Sequence, residues 1–289
     1  MISRIVLILV CALTLAACGA NSPKGGRSTV VAAFYPLAYA AERIAGPSVA
    51  VENLTPPGSE PHDLELAPKT VARIVRADVV LYLSHGFQPA VASAVKQAEG
   101  ETIDVLAGLP LNSAGAGEQE EGLTADPHVW LDPILFARIV DGIGDVLHAP
   151  ARAEALVGDL RRLDLDYRKG LAHCARREFV TSHSAFGYLA KRYGLTQVPI
   201  TGLTPESEPT ARQLANVVKL VRRTHATTVF FETLVSPRLA KTVAREVGAR
   251  TAVLDPIEGL TPEEQSRGED YLSVMRHNLG ALRQALACR

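Results

Sequence analysis

From residue 29 onward, short apolar runs alternate with longer stretches whose apolar residues recur every three or four positions. The runs Thr29–Phe34, Val49–Leu54, Val79–Leu83 and Thr102–Val105 are rich in Val and read as strands. Val79–Leu83 is apolar at every position, as expected of a parallel strand covered on both faces. Between these runs, 36–44, Pro68–Arg76 and Pro89–Ala98 have helical spacing, the second and third opening on a proline. The style returns in the second half. Strands are expected at Glu178–Thr181, Thr228–Phe231 and Thr251–Leu254, and helices at Ala185–Tyr193, Thr210–Arg223, Ser236–Val247 and Asp270–Ala287. Such alternation predicts an α/β protein built on mostly parallel sheets flanked by helices. Pro133–Leu147 is helical, and Pro150–Cys174 carries Leu156, Leu160, Leu163, Tyr167 and Leu171 on one stripe. This long amphipathic helix lies near mid-chain and is the candidate connector, 150–174, between lobes 29–149 and 175–289. Asn112–Ala125 is small, acidic and aperiodic, and reads as a mobile surface loop. The two halves share architecture rather than a short sequence repeat.

The first residues follow a different logic. Arg4 precedes an apolar run from Ile5 to Ala17, too short to span a bilayer as a mature helix. The run ends in Leu15-Ala16-Ala17-Cys18-Gly19, which resembles the bacterial lipobox, where the cysteine becomes the acylated first residue. A plain secretory signal with a chance cysteine is the alternative. The small residues before Cys18 and the loop-like stretch after it favour lipidation. Segment 1–18 is therefore expected to be a lipoprotein signal peptide and 19–28 a flexible tether. No later apolar run is long enough to cross a membrane. The expected protein is an extracytoplasmic monomer held at the cell membrane by lipid on Cys18. With four cysteines in all, Cys11 falling in the signal and Cys18 at the anchor, Cys174 and Cys288 remain. Outside the cytoplasm these are expected to join, the alternative being two buried free thiols. A formal net charge of -1 without a long basic run gives no prediction of nucleic-acid binding through a positive field.

Eight histidines are present, and three share a setting. His62 ends a Pro/Gly-rich loop after a strand. His128 lies in Asp126-Pro127-His128-Val129-Trp130-Leu131-Asp132-Pro133, just before a helix, and His183 directly follows a strand. Asp255 follows the strand Thr251–Leu254 in the same way. Open α/β sheets present ligand groups at the carboxyl ends of their strands. Three imidazoles and one carboxylate make a full tetrahedral shell for a borderline metal. Taken singly, a loop His is usually solvated and an Asp after a strand is usually a turn or cap residue. Only the set of four outweighs those readings. His85 also follows a strand and is either a reserve ligand or an ordinary loop residue. Glu232, ending Phe230-Phe231-Glu232, is either a cleft group that orients a ligand or an exposed carboxylate at a helix start. His148, His173, His225 and His277 fall in helical or helix-end settings and read as structural or solvated.

Four segments together resemble the cluster A-I (cluster 9) metal-binding receptors of zinc and manganese ABC importers. They are Pro57-Gly58-Ser59-Glu60-Pro61-His62-Asp63, Asp126–Pro133, Ser182–Leu189 with Tyr193-Gly194-Leu195, and Leu254-Asp255-Pro256. The resemblance implies two (β/α) lobes joined by one long rigid helix, with the metal in the cleft between them. It carries the family's ligands onto His62, His128, His183 and Asp255, and implies delivery to an ABC-type permease with its ATPase. Two departures stand out. The stretch before His128 holds Glu118, Glu120 and Glu121 but lacks the His-rich loop of many zinc members, and the disulfide of some zinc members lies elsewhere.

Manganese receptors of this plan usually place Glu where His183 stands. An imidazole makes the site softer and favours Zn2+ as the transported ligand over Mn2+ or Fe2+. Two rival functions are a zinc hydrolase and a metal-binding surface adhesin. Hydrolysis needs an open coordination position and usually a general base. Four ligands close the shell, and no His-Glu-x-x-His helix occurs. The reading is a binding protein rather than an enzyme.

Overall fold

A computed structural model describes residues 28–120, 122–205 and 209–289. The expected signal segment 1–18, and all of the tether except Ser28, lie outside the described residues. In the first half the elements are β1 (Ser28–Ala32), α1 (Tyr35–Ile44), β2 (Val49–Asn53), α2 (Pro68–Arg76), β3 (Val79–Tyr82), α3 (Pro89–Val95), β4 (Glu101–Asp104), α4 (Ala116–Glu120) and α5 (Pro133–Val146). A single 3-10 turn, Val129–Leu131, precedes α5. The 22-residue α6 (Pro150–Leu171) then leads into the second half. There follow β5 (Glu178–Thr181), α7 (Gly187–Tyr193), β6 (Thr196–Pro199), α8 (Ala211–Thr224), β7 (Thr228–Phe231), α9 (Arg238–Val247), β8 (Arg250–Val253), α10 (Pro262–Ser266) and α11 (Tyr271–Leu286).

The expected fold class is present. One four-stranded sheet has the order β2-β1-β3-β4 and the other β6-β5-β7-β8, and every pairing is parallel. Both sheets thus reverse strand order at the same relative place, beside β1 and beside β5. Such a switch point leaves a crevice at the carboxyl ends of the strands.

Helix α6 connects the two sheets and buries Leu156, Leu160, Leu163, Tyr167 and Leu171, one stripe of a 3.6-residue repeat. It stops three residues short of the expected Cys174. One apolar cluster runs from Val30 and Leu81 of the first sheet through Phe136 and Leu160 to Phe179, Phe230 and Met275. The first lobe, the connector and the inner side of the second sheet therefore share a core. A smaller core of Val198, Val221, Val229 and Val243 fills the outer side of the second lobe.

Local chemistry explains the boundaries. Asp132 caps α5 by accepting from the backbone N–H of Ile134 and Leu135. Helix α7 ends at Gly194, whose φ of 63° suits glycine and terminates the turn. Strand β6 has no counterpart among the expected strands, because Thr196–Pro199 is short and ends in proline.

The loop 112–125 has more order than its composition predicts. Ser113 pairs with Ala125, α4 forms within it, and Ala114 and Leu123 bury against Leu203 of the second lobe. Two apolar anchors nine residues apart leave no periodic mark. No helix among the described residues is long and apolar enough to cross a membrane.

Cys174 and Cys288 form a disulfide across 114 residues, tying the chain's end to the foot of α6. Cross-linking a loop of this length restricts the unfolded chain. Replacing both cysteines by serine is expected to lower stability by about 2–5 kcal/mol. Urea unfolding of the metal-free protein, with and without the pair, measures the difference.

Candidate metal centre

Each half of the molecule supplies two of four converging side chains. His62 comes from the loop after β2, where Gly58 (φ 77°) turns the chain. His128 opens the 3-10 turn, His183 follows β5, and Glu258 follows β8. One donor atom from each lies within 4.8 Å of all the others, and all four residues are buried. Glu258 Oε1 stands 3.4 Å from His62 Nε2, 3.1 Å from His128 Nε2 and 3.6 Å from His183 Nε2. His128 Nε2 and His183 Nε2 are 3.3 Å apart. A tetrahedron with metal–nitrogen bonds of about 2.0–2.1 Å has edges of about 3.3 Å. The measured separations fall around that value.

The rings are held from behind. His128 Nδ1 bonds Asp126 Oδ1 at 2.8 Å, and His183 Nδ1 bonds Glu232 Oε1 at 2.9 Å. A carboxylate on Nδ1 fixes its proton there and turns the Nε2 lone pair toward the common centre. Glu232 is itself bonded by the Ser182 hydroxyl. It is buried and orients the His183 ring, and is not an exposed carboxylate at a helix start. The edge of His62 meets the Phe87 ring, centroids 4.6 Å apart, and its backbone N–H donates to Glu60 Oε1 at 2.9 Å.

The charges are strongly coupled. Glu258 is fully buried, which alone would favour its neutral acid, but hydrogen bonds from the three imidazoles outweigh burial and hold it well below the usual carboxylate range. Burial lowers His62. Burial also opposes charge on His128 and His183, yet Asp126 and Glu258 raise the first, and Glu232 and Glu258 carry the second well above the ordinary range. Burial, reinforced by Glu258, pushes Glu60 up to about 9. Three buried carboxylate oxygens, Glu60 Oε2, Glu232 Oε2 and Glu258 Oε2, have no hydrogen-bond partner. Buried carboxyl oxygens left unpaired beside three imidazoles are groups that a bound cation would satisfy.

The structure brings together His62, His128 and His183 but not Asp255. That carboxylate accepts from the Thr233 hydroxyl (2.8 Å) and the backbone N–H of Ile257 (2.7 Å), so both its oxygens face the protein. Burial, the main cause, pushes it up to about 7. Asp255 is a turn residue, and the carboxylate that converges with the three imidazoles is Glu258, three positions on. Its signal was a second acid in the loop Asp255-Pro256-Ile257-Glu258-Gly259 after a strand end. His85 stays outside, exposed and bonded to the Thr124 hydroxyl at 2.7 Å. His148, His173, His225 and His277 are also exposed. The three converging histidines are the buried ones.

Two parallel-sheet lobes thus face each other across a buried three-imidazole, one-carboxylate centre that could hold a metal ion. Residues 30–285 match the family described as zinc-uptake complex component A, periplasmic (ZnuA), and the chain belongs to that family. It is similar to the high-affinity zinc uptake system protein ZnuA of Bacillus subtilis, 36% identical over 310 residues covering 98% of this chain and 97% of that one. It is also 36% identical over 300 residues to the zinc-binding lipoprotein AdcA of Streptococcus pneumoniae serotype 4. That match covers 97% of this chain but 60% of AdcA, so the chain spans about three-fifths of that relative. Among solved structures, the Zn(II)-bound ZnuA-like domain of Streptococcus pneumoniae AdcA superposes with a TM-score of 0.76 at 36% identity, over 90% of this chain and 99% of that one. The laminin-binding protein Lmb of Streptococcus agalactiae gives a TM-score of 0.80 at 29% identity, over 90% of this chain and all of that one.

A metal entering this centre must displace the protons that His128 and His183 hold in the metal-free protein. At low pH the rings are charged and binding is weak; as pH rises they become neutral and binding tightens. Because both are raised, the gain is expected to continue above the ordinary histidine range, whereas His62 contributes little there. Zinc affinity measured by chelator competition between about pH 6 and pH 9 checks this. A flat profile across that window would contradict it.

Proposed function

We propose that the protein is an extracytoplasmic receptor that captures Zn2+ between its lobes and hands it to an ABC-type permease with its ATPase. The convergence of His62, His128, His183 and Glu258 on one point carries this reading. Their donor types suit zinc: three imidazoles are soft enough to favour it over manganese, and the carboxylate supplies one negative charge. Four protein donors complete a tetrahedral shell and leave no position for a water nucleophile, which supports binding rather than catalysis. The relatives support the cargo, since both the Bacillus subtilis and the Streptococcus pneumoniae proteins are named for zinc. The Leu15-Ala16-Ala17-Cys18 segment supports attachment to the cell membrane by acylation of Cys18.

Protein purified without added metal is expected to carry one zinc per chain by elemental analysis. His183→Ala is expected to lower zinc affinity by more than about 100-fold, beyond the about 10–100-fold that partners of ligands usually carry. Its cooperative unfolding should persist without metal. Parental affinity in this variant would end the assignment.

A further inference from the structure

Glu258 is the one proposed ligand that leaves a backbone under strain. The residue before it, Ile257, has a φ of 58°. The left-handed region is costly for a β-branched side chain. The other non-glycine residues with positive φ, among those described, are His85, His148, His225 and Ala287. All four are exposed and none is β-branched, whereas Ile257 is fully buried. A conformation of this kind persists only where the surroundings over-determine it.

Those surroundings are specific. Asp255 Oδ1 accepts from the Ile257 N–H at 2.7 Å, closing a tight side-chain turn over Pro256. Asp255 Oδ2 accepts from Thr233 Oγ1 at 2.8 Å. Asn278 of α11 grips the Asp255 backbone on both sides, accepting from its N–H at 2.9 Å and donating to its carbonyl at 2.7 Å. The Trp130 indole N–H donates to the Pro256 carbonyl at 2.7 Å. Three consecutive residues before Glu258 are thus each held by a buried partner.

The partners connect to the other ligands. Trp130 lies two residues after His128, and Thr233 directly follows Glu232, the carboxylate behind His183. Asp255 therefore joins the segment that presents Glu258 to the strand end that orients His183, and Trp130 joins it to His128.

We propose that Asp255 is a positioning residue: its side chain locks Ile257 in the left-handed turn that aims Glu258 at the three imidazoles. This rests on the reading of Glu258 as a zinc ligand. The role needs a hydrogen-bond acceptor at Asp255, not a negative charge. That separates it from a metal-ligand role, which an amide would fill poorly.

The test compares three variants of the full chain by chelator competition for zinc and by the visible absorption of bound cobalt(II), which reports coordination geometry. Metal-free unfolding is followed in parallel. Asp255→Ala is expected to weaken zinc binding by about 10–100-fold and to change the cobalt spectrum. Asp255→Asn keeps an oxygen for the Ile257 N–H, and the Thr233 hydroxyl can turn to accept from its amide. It is expected to recover affinity to within about threefold of the parent, with the parental spectrum. Glu258→Gln is expected to lose affinity and alter the spectrum. Parental binding by Asp255→Ala, or equal loss in Asp255→Ala and Asp255→Asn, overturns the proposal while leaving Glu258 as ligand if Glu258→Gln is weak. Parental binding by Glu258→Gln overturns the ligand reading itself. Should Asp255→Ala fail to fold, Asp255→Ser takes its place: affinity below that of Asp255→Asn supports the proposal, and affinity equal to the parent's overturns it.

Discussion

A carboxylate with no solvent exposure, surrounded by three imidazole nitrogens, is the constraint around which the molecule is organised. Burying Glu258 is tolerable only while positive charge sits beside it, whether protons on the rings or a metal. The same requirement explains why Asp126 and Glu232 stand behind His128 and His183. They hold the Nδ1 protons in place and leave the Nε2 atoms to face the centre. A metal bound there would compete with protons for one buried position, under the influence of carboxylates behind the rings.

The ligands come from segments far apart in the chain, so holding them together is a matter of packing between lobes. Trp130 and Tyr271 bridge that interface, the phenol of Tyr271 donating to the Trp130 carbonyl while the indole donates to Pro256. Tyr188 Oη donates to the Asp126 carbonyl at 2.8 Å and accepts from Asn112 N–H at 2.9 Å. Tyr167 of α6 donates to the Met275 carbonyl at 2.7 Å. With a core running continuously from the first sheet through α6 to the second, these contacts favour small adjustments near the centre over wide separation of the lobes.

Much of this was legible in the chain itself. Apolar runs such as Val79–Leu83 and the stripe of α6 specify a buried parallel sheet and a long helix, since burial on both faces or on one stripe demands those patterns. The convergence of the three histidines was legible because each lies in a loop or turn that follows a strand or opens a helix, a setting where ligands gather. The fourth converging group was not. Asp255 and Glu258 are two acids in one short loop, and only the turn geometry at Ile257 decides which faces inward. Strand β6 and the anchored loop 112–125 also escaped, because their determinants are few: four residues ending in proline in one case, and Ala114 and Leu123 meeting Leu203 in the other.

Trp130 is the chain's single tryptophan. Its ring is almost wholly buried and lies 5.2 Å from that of His128. Indole emission from this protein therefore originates at one point, against one ring of the metal centre and hydrogen-bonded to the segment that carries Glu258. The molecule thus carries one natural fluorophore, fixed beside the candidate site without any attached dye.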